Sequence, residues 1–78
     1  MVRERSRKIG YLKRVGLKIS RDLHERDKSV DALALEIGMA RSTLREIIAG
    51  RSNPRLLSLE AIAQGLGYRK LSDFLSDL

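Results

Sequence analysis

The polar residues between positions 41 and 46 could form a recognition surface through hydrogen bonds and charge. They are Arg41, Ser42, Thr43, Arg45 and Glu46. An arginine presents a planar fork of N–H donors, a hydroxyl both donates and accepts, and a carboxylate accepts. The segment shows no nucleophile paired with a general base, so its chemistry suits binding and not catalysis.

A helix from Arg41 to Ala49 would gather these polar groups on one side, because successive residues turn by about 100°. The apolar side would carry Leu44, Ile47 and Ile48. The opposite side would carry Ser42, Arg45, Glu46 and Ala49, with Arg41 and Thr43 on its flanks. Gly50 then supplies a helix-ending glycine, and residues 51–54, which include Pro54, are typical of a turn.

A second short amphipathic segment precedes this helix and ends at a glycine. Its apolar residues recur at the i, i+3, i+4, i+7 spacing of one helix face, as Val30, Leu33, Ala34 and Ile37. Ser29 is placed to cap the start of the helix, and Asp31 is favourable to the helix dipole. Gly38 can adopt the left-handed conformation that ends a helix. The sequence therefore predicts two short helices, 30–37 and 41–49, joined by a tight turn.

Three further apolar stripes predict an all-α fold of five helices, since no segment alternates with period two. The first predicts a helix from about Tyr11 to Arg26 and contains Leu12, Val15, Ile19 and Leu23. The next contains Leu59, Ile62, Ala63 and Leu66, with Ser58 or a residue just before it as the cap. The last contains Leu71, Phe74, Leu75 and Leu78. Gly16, inside the first helix, predicts close packing at that point.

The positive charge is concentrated at the N-terminus. The net charge is +6 and the pI about 10.3, which favours a polyanionic partner, either nucleic acid or an anionic membrane surface. We divide the chain into a basic N-terminal arm, residues 1–10, and a single domain, residues 11–78. Residues 1–8 fit either a solvated flexible tail or an arm that touches phosphates or enters a minor groove.

Several classes of protein are not expected. The chain has no cysteine, which excludes disulfides and thiolate metal sites. No apolar run approaches the roughly 20 residues of a membrane span, and the N-terminus lacks the apolar centre of a signal peptide, so we expect a cytoplasmic protein. With no metal-spaced ligands around His24 and no phosphate-binding glycine loop, we expect no enzyme, no metal and no cofactor.

Taken together, the motifs resemble the lambda-repressor-like helix-turn-helix family (Cro and phage repressor type, Xre-like) from roughly Leu12 to Leu75. The matching residues are Leu33-Ala34, Gly38-Met39, Ser42-Thr43-Leu44, Ile47, Gly50, Asn53-Pro54, Leu59, Ile62-Ala63 and Leu66-Gly67. The resemblance implies a compact five-helix domain with the helix-turn-helix in helices 2 and 3. It also implies a transcriptional regulator, specifically a repressor, that binds double-stranded DNA sequence-specifically with helix 41–49 in the major groove.

In such a regulator each polar residue has an implied role. The base-reading residues would be Arg41, Ser42, Thr43, Arg45 and Glu46. The phosphate contacts would come from Ser29, Arg51, Ser52 and Asn53, with Lys28 and Arg55 as weaker candidates. The alternative function is a protein-binding regulator of the same fold, such as an antitoxin with a small toxin as its partner, in which DNA binding is secondary.

Specific affinity usually needs two half-sites, so we expect a palindromic operator and a homodimer associated with the nucleoid. The dimer would form through the C-terminal helix and its residues Leu71, Phe74, Leu75 and Leu78. The alternative is that these residues close the core of the monomer.

The chain also departs from the family pattern at defined positions. Val30 stands where relatives often have a Gln that contacts phosphate or braces a base-reading side chain. Ala40 stands where a Ser or Thr often caps the recognition helix, and alanine cannot accept those N–H groups. Leu23 and Ile48 stand where many relatives have an Arg–Glu ion pair. Because replacing both partners leaves no charge unpaired, we predict that Leu23 and Ile48 touch in the core.

Overall fold

The computed structural model describes the backbone of residues 2–78 and the side chains of residues 10–78. Over this range the chain forms five helices and no strand, so the predicted all-α class is confirmed. The helices are α1 (Val2–Glu25), α2 (Val30–Ile37), α3 (Arg41–Ile48), α4 (Leu56–Gly65) and α5 (Leu71–Leu75). Across the described residues, none of them combines the length and the apolar character that crossing a membrane requires.

The start of α1 differs from the prediction, because the helix begins at Val2 and not near Tyr11. The predicted start followed the apolar stripe, which begins at Leu12. A helix does not need such a stripe where residues of high helix propensity follow one another, and residues 3–8 are mainly Arg, Glu and Lys. The helix therefore runs through the boundary drawn at residue 10, and the role of residues 1–8 toward DNA stays a prediction.

The core lies where α1 packs against the shorter helices. Its buried apolar residues are Val15, Ile19, Leu23, Leu33, Ala34, Leu44, Ile47, Ile62, Ala63, Leu66 and Phe74. Each helix contributes at least one of these residues. All of them belong to the apolar helix faces that the sequence predicted. Burial of these faces packs α3 against both α1 and α2, which leaves the other side of α3 free to face outward.

The close packing predicted at Gly16 is confirmed. A Cβ built on Gly16 would overlap the carbonyl oxygen of Ile48 and lie 2.7 Å from its carbonyl carbon. Leu23 is 3 % exposed and Ile48 packs against the same core. The direct contact between Leu23 and Ile48 stays a prediction, since this approach of α1 to Ile48 lies about two helical turns, roughly 10 Å, before Leu23.

Capping and turn geometry set the angle between α2 and α3. The Ser29 hydroxyl accepts a hydrogen bond from the Ala32 N–H at 3.0 Å, which confirms the predicted N-cap. Gly38 is left-handed, with φ of 69°, as the prediction of a glycine stop requires. Ala40 opens α3 without a side-chain cap bond. The first N–H groups of α3 are therefore open to other acceptors.

The start of α4 also differs from the prediction. The helix begins at Leu56 with Arg55 as its N-cap, so the predicted cap at or just before Ser58 is wrong. Leu56 and Leu57 are 69 % and 74 % exposed. The first turn of α4 thus lies outside the buried stripe, and the stripe alone could not reveal it.

The residues of α5 close the core of the chain itself. Phe74 is fully buried, and its ring meets the Tyr68 ring edge-on with the centroids 5.4 Å apart. Leu71, Leu75 and Leu78 are partly buried against the same core. The expectation that Phe74 forms a dimer interface is therefore wrong, because its side chain has no surface left for a partner copy.

A buried polar cluster joins α1 to the C-terminal part of the chain. The Lys18 ammonium donates to the Tyr68 hydroxyl at 2.8 Å and lies 3.3 Å from a carboxylate oxygen of Asp22 and from one of Asp77. The Tyr68 hydroxyl donates in turn to Asp22 at 2.7 Å. Lys18 and Asp22 are each 3 % exposed. No pattern in the sequence predicted this cluster, which ties α5 and its flanking turn to α1.

Candidate nucleic-acid interface

The outer side of α3 carries all of the residues that the sequence suggested for base contacts. They are Arg41, Ser42, Thr43, Arg45 and Glu46, and each is exposed. Leu44 and Ile47 point the opposite way and are 0 % and 3 % exposed. An open depression of about 520 Å³ on this side is lined by Arg41, Ser42 and Arg45. The predicted helix face therefore forms, and its polar groups are accessible to a partner.

One edge of this face is joined to α2 by a carboxylate. An oxygen of Asp31 accepts from the Arg45 guanidinium at 2.8 Å, and its other oxygen lies 3.4 Å from the Arg41 guanidinium. The hydrogen bond from Arg45, followed by that from Arg41, holds the pKa of Asp31 below its ordinary value. The sequence pattern indicated only a helix-dipole role for Asp31, so its pairing with Arg41 and Arg45 is a new feature of the site.

The other edge of the face is joined to the loop that follows α3. Gly50 adopts a φ of 75°, which turns the chain so that the Arg51 N–H caps the Glu46 carbonyl at 3.0 Å. The Arg51 guanidinium also donates to the Glu46 carboxylate, at 2.6 Å and 3.2 Å. This contact lowers the pKa of Glu46 and raises that of Arg51. In the free chain, Glu46, a candidate for base contacts, is therefore paired with Arg51, a candidate for phosphate contacts.

The remaining phosphate candidates lie at both ends of the helix-turn-helix. Ser29 is exposed, and a hydroxyl that accepts one hydrogen bond can still donate its own hydrogen. Asn53 is exposed and Ser52 half-buried in the loop after α3, while Arg55 is exposed at the start of α4. The geometry thus keeps donors at two separate points beside the α3 face.

Lys28 has a different environment from the other phosphate candidates. Its ammonium lies 2.8 Å from a Glu36 carboxylate oxygen and donates to the Gly65 carbonyl at 3.2 Å. The residue is half-buried. Lys28 therefore connects α2 to α4, and this structural contact competes with the phosphate role suggested by the sequence.

The basic half of α1 starts beside the loop that follows α3. A Cβ on Gly50 would lie 2.8 Å from the Lys13 Cγ and 2.9 Å from its Cα, so α1 and the end of α3 are in close contact there. From Lys13 back to Val2 the helix extends by about 16 Å. The basic N-terminal segment therefore departs from the same edge of the molecule as Arg51.

The arrangement defines a class of protein. Two short helices meet at a left-handed glycine, the first is capped by a serine, and the second turns a polar face outward while its apolar face fills the core. This is a helix-turn-helix, the motif that places its second helix in the major groove of DNA. The chain belongs to the helix-turn-helix family HTH_3, whose sequence pattern matches residues 17–74.

A solved structure supports the same conclusion. The chain is similar to an HTH_3 family transcriptional regulator from Vibrio cholerae, with a TM-score of 0.78 and 26% sequence identity. The similarity covers 90% of this chain and 39% of that one. No curated protein shows a significant sequence match. The resemblance to the helix-turn-helix family inferred from the sequence is thus confirmed.

Proposed function

We propose that this chain binds double-stranded DNA sequence-specifically and acts in a transcriptional regulator, as a repressor. The observation that carries the proposal is the exposed polar face of α3 in a helix-turn-helix of the HTH_3 family. The similar protein from Vibrio cholerae is described as a transcriptional regulator. We propose repression because a small domain bound at an operator prevents other proteins from using that site.

The residue types on α3 suggest specific base contacts. Arg41 and Arg45 suit guanine O6 and N7, and Glu46 suits the cytosine N4 amino group. Ser42 and Thr43 can bond either a base or a phosphate. Each good bidentate contact contributes about 1–3 kcal/mol of discrimination. Sequence preference would therefore come from a short run of base pairs under the first two turns of α3.

Phosphate contacts would hold the domain in register on the duplex. Ser29 at the start of α2 and the loop residues Arg51, Ser52 and Asn53 are the main candidates, and Lys28 is the weakest because it already bridges two helices. The basic residues before Lys13 form an additional arm that touches phosphates or enters a minor groove. Deleting residues 2–8 should then lower the dependence of affinity on salt, whereas an unchanged dependence would remove the arm from the interface.

A homodimer bound to a palindromic operator is the proposed assembly, since one α3 reaches one half-site. With Phe74 buried, the apolar surface left for a second copy includes Leu56 and Leu57 on α4, directly after the phosphate loop. The exposed parts of Leu71, Leu75 and Leu78 on and after α5 adjoin the same core. An interface there would lie next to DNA and would set the spacing of the two α3 helices.

A titration of the isotopically labelled chain with duplex DNA, followed by NMR, tests which face binds. The largest amide shift changes should fall on residues 41–46 and on the loop 51–53. Residues 17–22 of α1, which have no proposed role in DNA binding or in the dimer, serve as the internal control. Changes centred on α5, with α3 unaffected, would contradict the proposal.

A protein-binding regulator, such as an antitoxin, is the second candidate. It is favoured by Leu35, which is 85 % exposed on α2. This leucine, Met39 and Ala40 line an open groove of about 450 Å³ together with Asp31, Ala34 and Arg41. A neighbouring gene for a small toxin would favour this alternative, whereas a palindromic site upstream of the chain's own gene would favour the autonomous repressor.

A further inference from the structure

Asp31 lies outside α3 but contacts two of its candidate base-reading residues. Its Oδ1 accepts from the Arg45 Nη2 at 2.8 Å, and its Oδ2 lies 3.4 Å from the Arg41 Nη1. Each carboxylate oxygen thus serves one arginine. The side chains of Asp31, Arg41 and Arg45 are 46%, 70% and 62% exposed, so all three are at the surface that would meet DNA.

The pairing restricts both arginines without exhausting their donors. Arg41 and Arg45 are one helical turn apart, so their guanidinium groups converge on the same edge of α3. A guanidinium has five N–H donors, and the bond to Asp31 uses one of those of Arg45. Two parallel N–H groups remain for a guanine edge, and the side chain already has a fixed direction before binding.

The charge of Asp31 acts differently on the two kinds of DNA acceptor. A phosphate carries a full negative charge and is repelled by the carboxylate beside the arginines, whereas guanine O6 and N7 are neutral acceptors. Random DNA is bound mainly through phosphates. A carboxylate at this position therefore weakens the binding of random DNA more than it weakens a base contact.

We propose that Asp31 is a positioning residue that increases the discrimination between DNA sequences by orienting Arg41 and Arg45 toward bases and away from phosphates. The inference rests on the proposed function of α3. Asp31 need not touch DNA for this role, because it acts through the two arginines.

The test measures the affinity of the full chain for two duplexes. One carries the sequence that the wild-type chain selects from a random DNA pool, and the other is a scrambled duplex of the same composition. In Asp31→Ala the ratio of the two affinities should fall by roughly tenfold, while the affinity for the scrambled duplex stays the same or rises. Asp31→Asn keeps one acceptor oxygen and loses the charge, so its ratio should fall less.

A matched control separates positioning from a simple change of charge. Glu25 is an exposed carboxylate at the end of α1, outside the dimer surface proposed on α4 and α5, and Glu25→Ala makes the same change in net charge. This variant should raise both affinities by the same factor and leave the ratio unchanged. If Asp31→Ala behaves as Glu25→Ala does, the proposal is overturned. Because Asp31 is at the surface, its variants should melt within about 3 °C of the wild type.

A double-mutant cycle shows whether Asp31 acts through the arginines. With Arg41 and Arg45 both replaced by Ala, adding Asp31→Ala should leave the affinity ratio unchanged. If Asp31→Ala lowers the affinity ratio in this background as much as it does in the wild type, Asp31 does not act through the two arginines and the proposal is overturned. If the wild-type chain itself binds both duplexes equally, the proposed function fails and this inference fails with it, a result distinct from an unchanged ratio in Asp31→Ala alone.

Discussion

At Gly16, α1 has no room for a side chain, because a Cβ there would overlap the Ile48 carbonyl oxygen. Gly16→Ala should therefore destabilise the fold by about 1–3 kcal/mol through overpacking. Gly10 is the matched control, since it lies in the same helix and a Cβ at that position would have no neighbour within 4 Å. Gly10→Ala should stabilise the chain by about 0.5–1 kcal/mol through helix propensity. Urea unfolding measures both, and equal effects of the two variants would contradict the packing of α1 on α3.

The residues Arg45 and Arg51 should behave differently in DNA binding. Arg45→Ala should relax specificity at one base pair at a cost of about 1–3 kcal/mol on the preferred sequence. Arg51→Ala should weaken all sequences alike and reduce the slope of affinity against salt by about one. Binding isotherms at several salt concentrations distinguish them. Equal losses on preferred and random DNA for Arg45→Ala would remove it from the base-reading set.

Single residues were predictable from the sequence where their partners are close in the chain. The cap at Ser29 and the glycine turn at Gly38 depend on neighbours within a few residues, and both predictions are confirmed. The pairing of Asp31 with Arg41 and Arg45 spans 10 and 14 residues. It depends on how α2 crosses α3, which no local pattern records. The roles of the α3 side chains toward DNA stay predictions.

At the scale of the elements, the Lys18 cluster is the main polar link between α1 and the C-terminal part of the chain. Lys18→Met would leave the buried Asp22 carboxylate without its cation, at a cost of about 3–5 kcal/mol. Adding Asp22→Leu should restore most of that loss, because an apolar pair can replace a buried ion pair. Chemical unfolding of the single and double variants tests this, and a double variant no more stable than Lys18→Met would contradict it.

The same cluster predicts a dependence of stability on alkaline pH. Burial lowers the pKa of Lys18, but hydrogen bonds with Tyr68, Asp22 and Asp77 outweigh it, so the pKa is raised above the ordinary value of 10.5. A raised lysine pKa stabilises the fold fully below 10.5, and this contribution is lost as the pH rises through the higher value. Between pH 8 and pH 12 the free energy of unfolding should thus fall less in Lys18→Met than in the wild type. An equal fall in both would show that Lys18 is not the source of this pH dependence.

The helices were predicted well where they bury a stripe and poorly where they do not. The positions of α2, α3 and α5 agree with the sequence patterns to within a few residues. The starts of α1 and α4 were missed because Val2 and Leu56 precede the buried stripes of their helices. An apolar stripe records the contact of a helix with the core, so it cannot mark turns that project beyond that contact.

At the scale of the whole molecule, the proposed homodimer has a direct test. Leu56 on α4 and Leu17 on α1 are both 69 % exposed, so they make a matched pair of substitutions. Sedimentation at micromolar concentration should give twice the chain mass of 8.8 kDa for the wild type and for Leu17→Glu. Leu56→Glu should sediment as a monomer. A monomeric wild type, or a dimer that Leu56→Glu leaves intact, would exclude this interface.

Sequence-specific binding depends, in this proposal, on α3 reading DNA from its exposed face. Selection of bound duplexes from a random DNA pool, performed with the wild type and with Arg45→Ala, measures this directly. We expect the wild type to enrich a palindromic motif, and Arg45→Ala to enrich the same motif with the preference lost at one symmetry-related base pair in each half-site. A wild-type pool with no enriched motif, or an identical motif from both proteins, would contradict it.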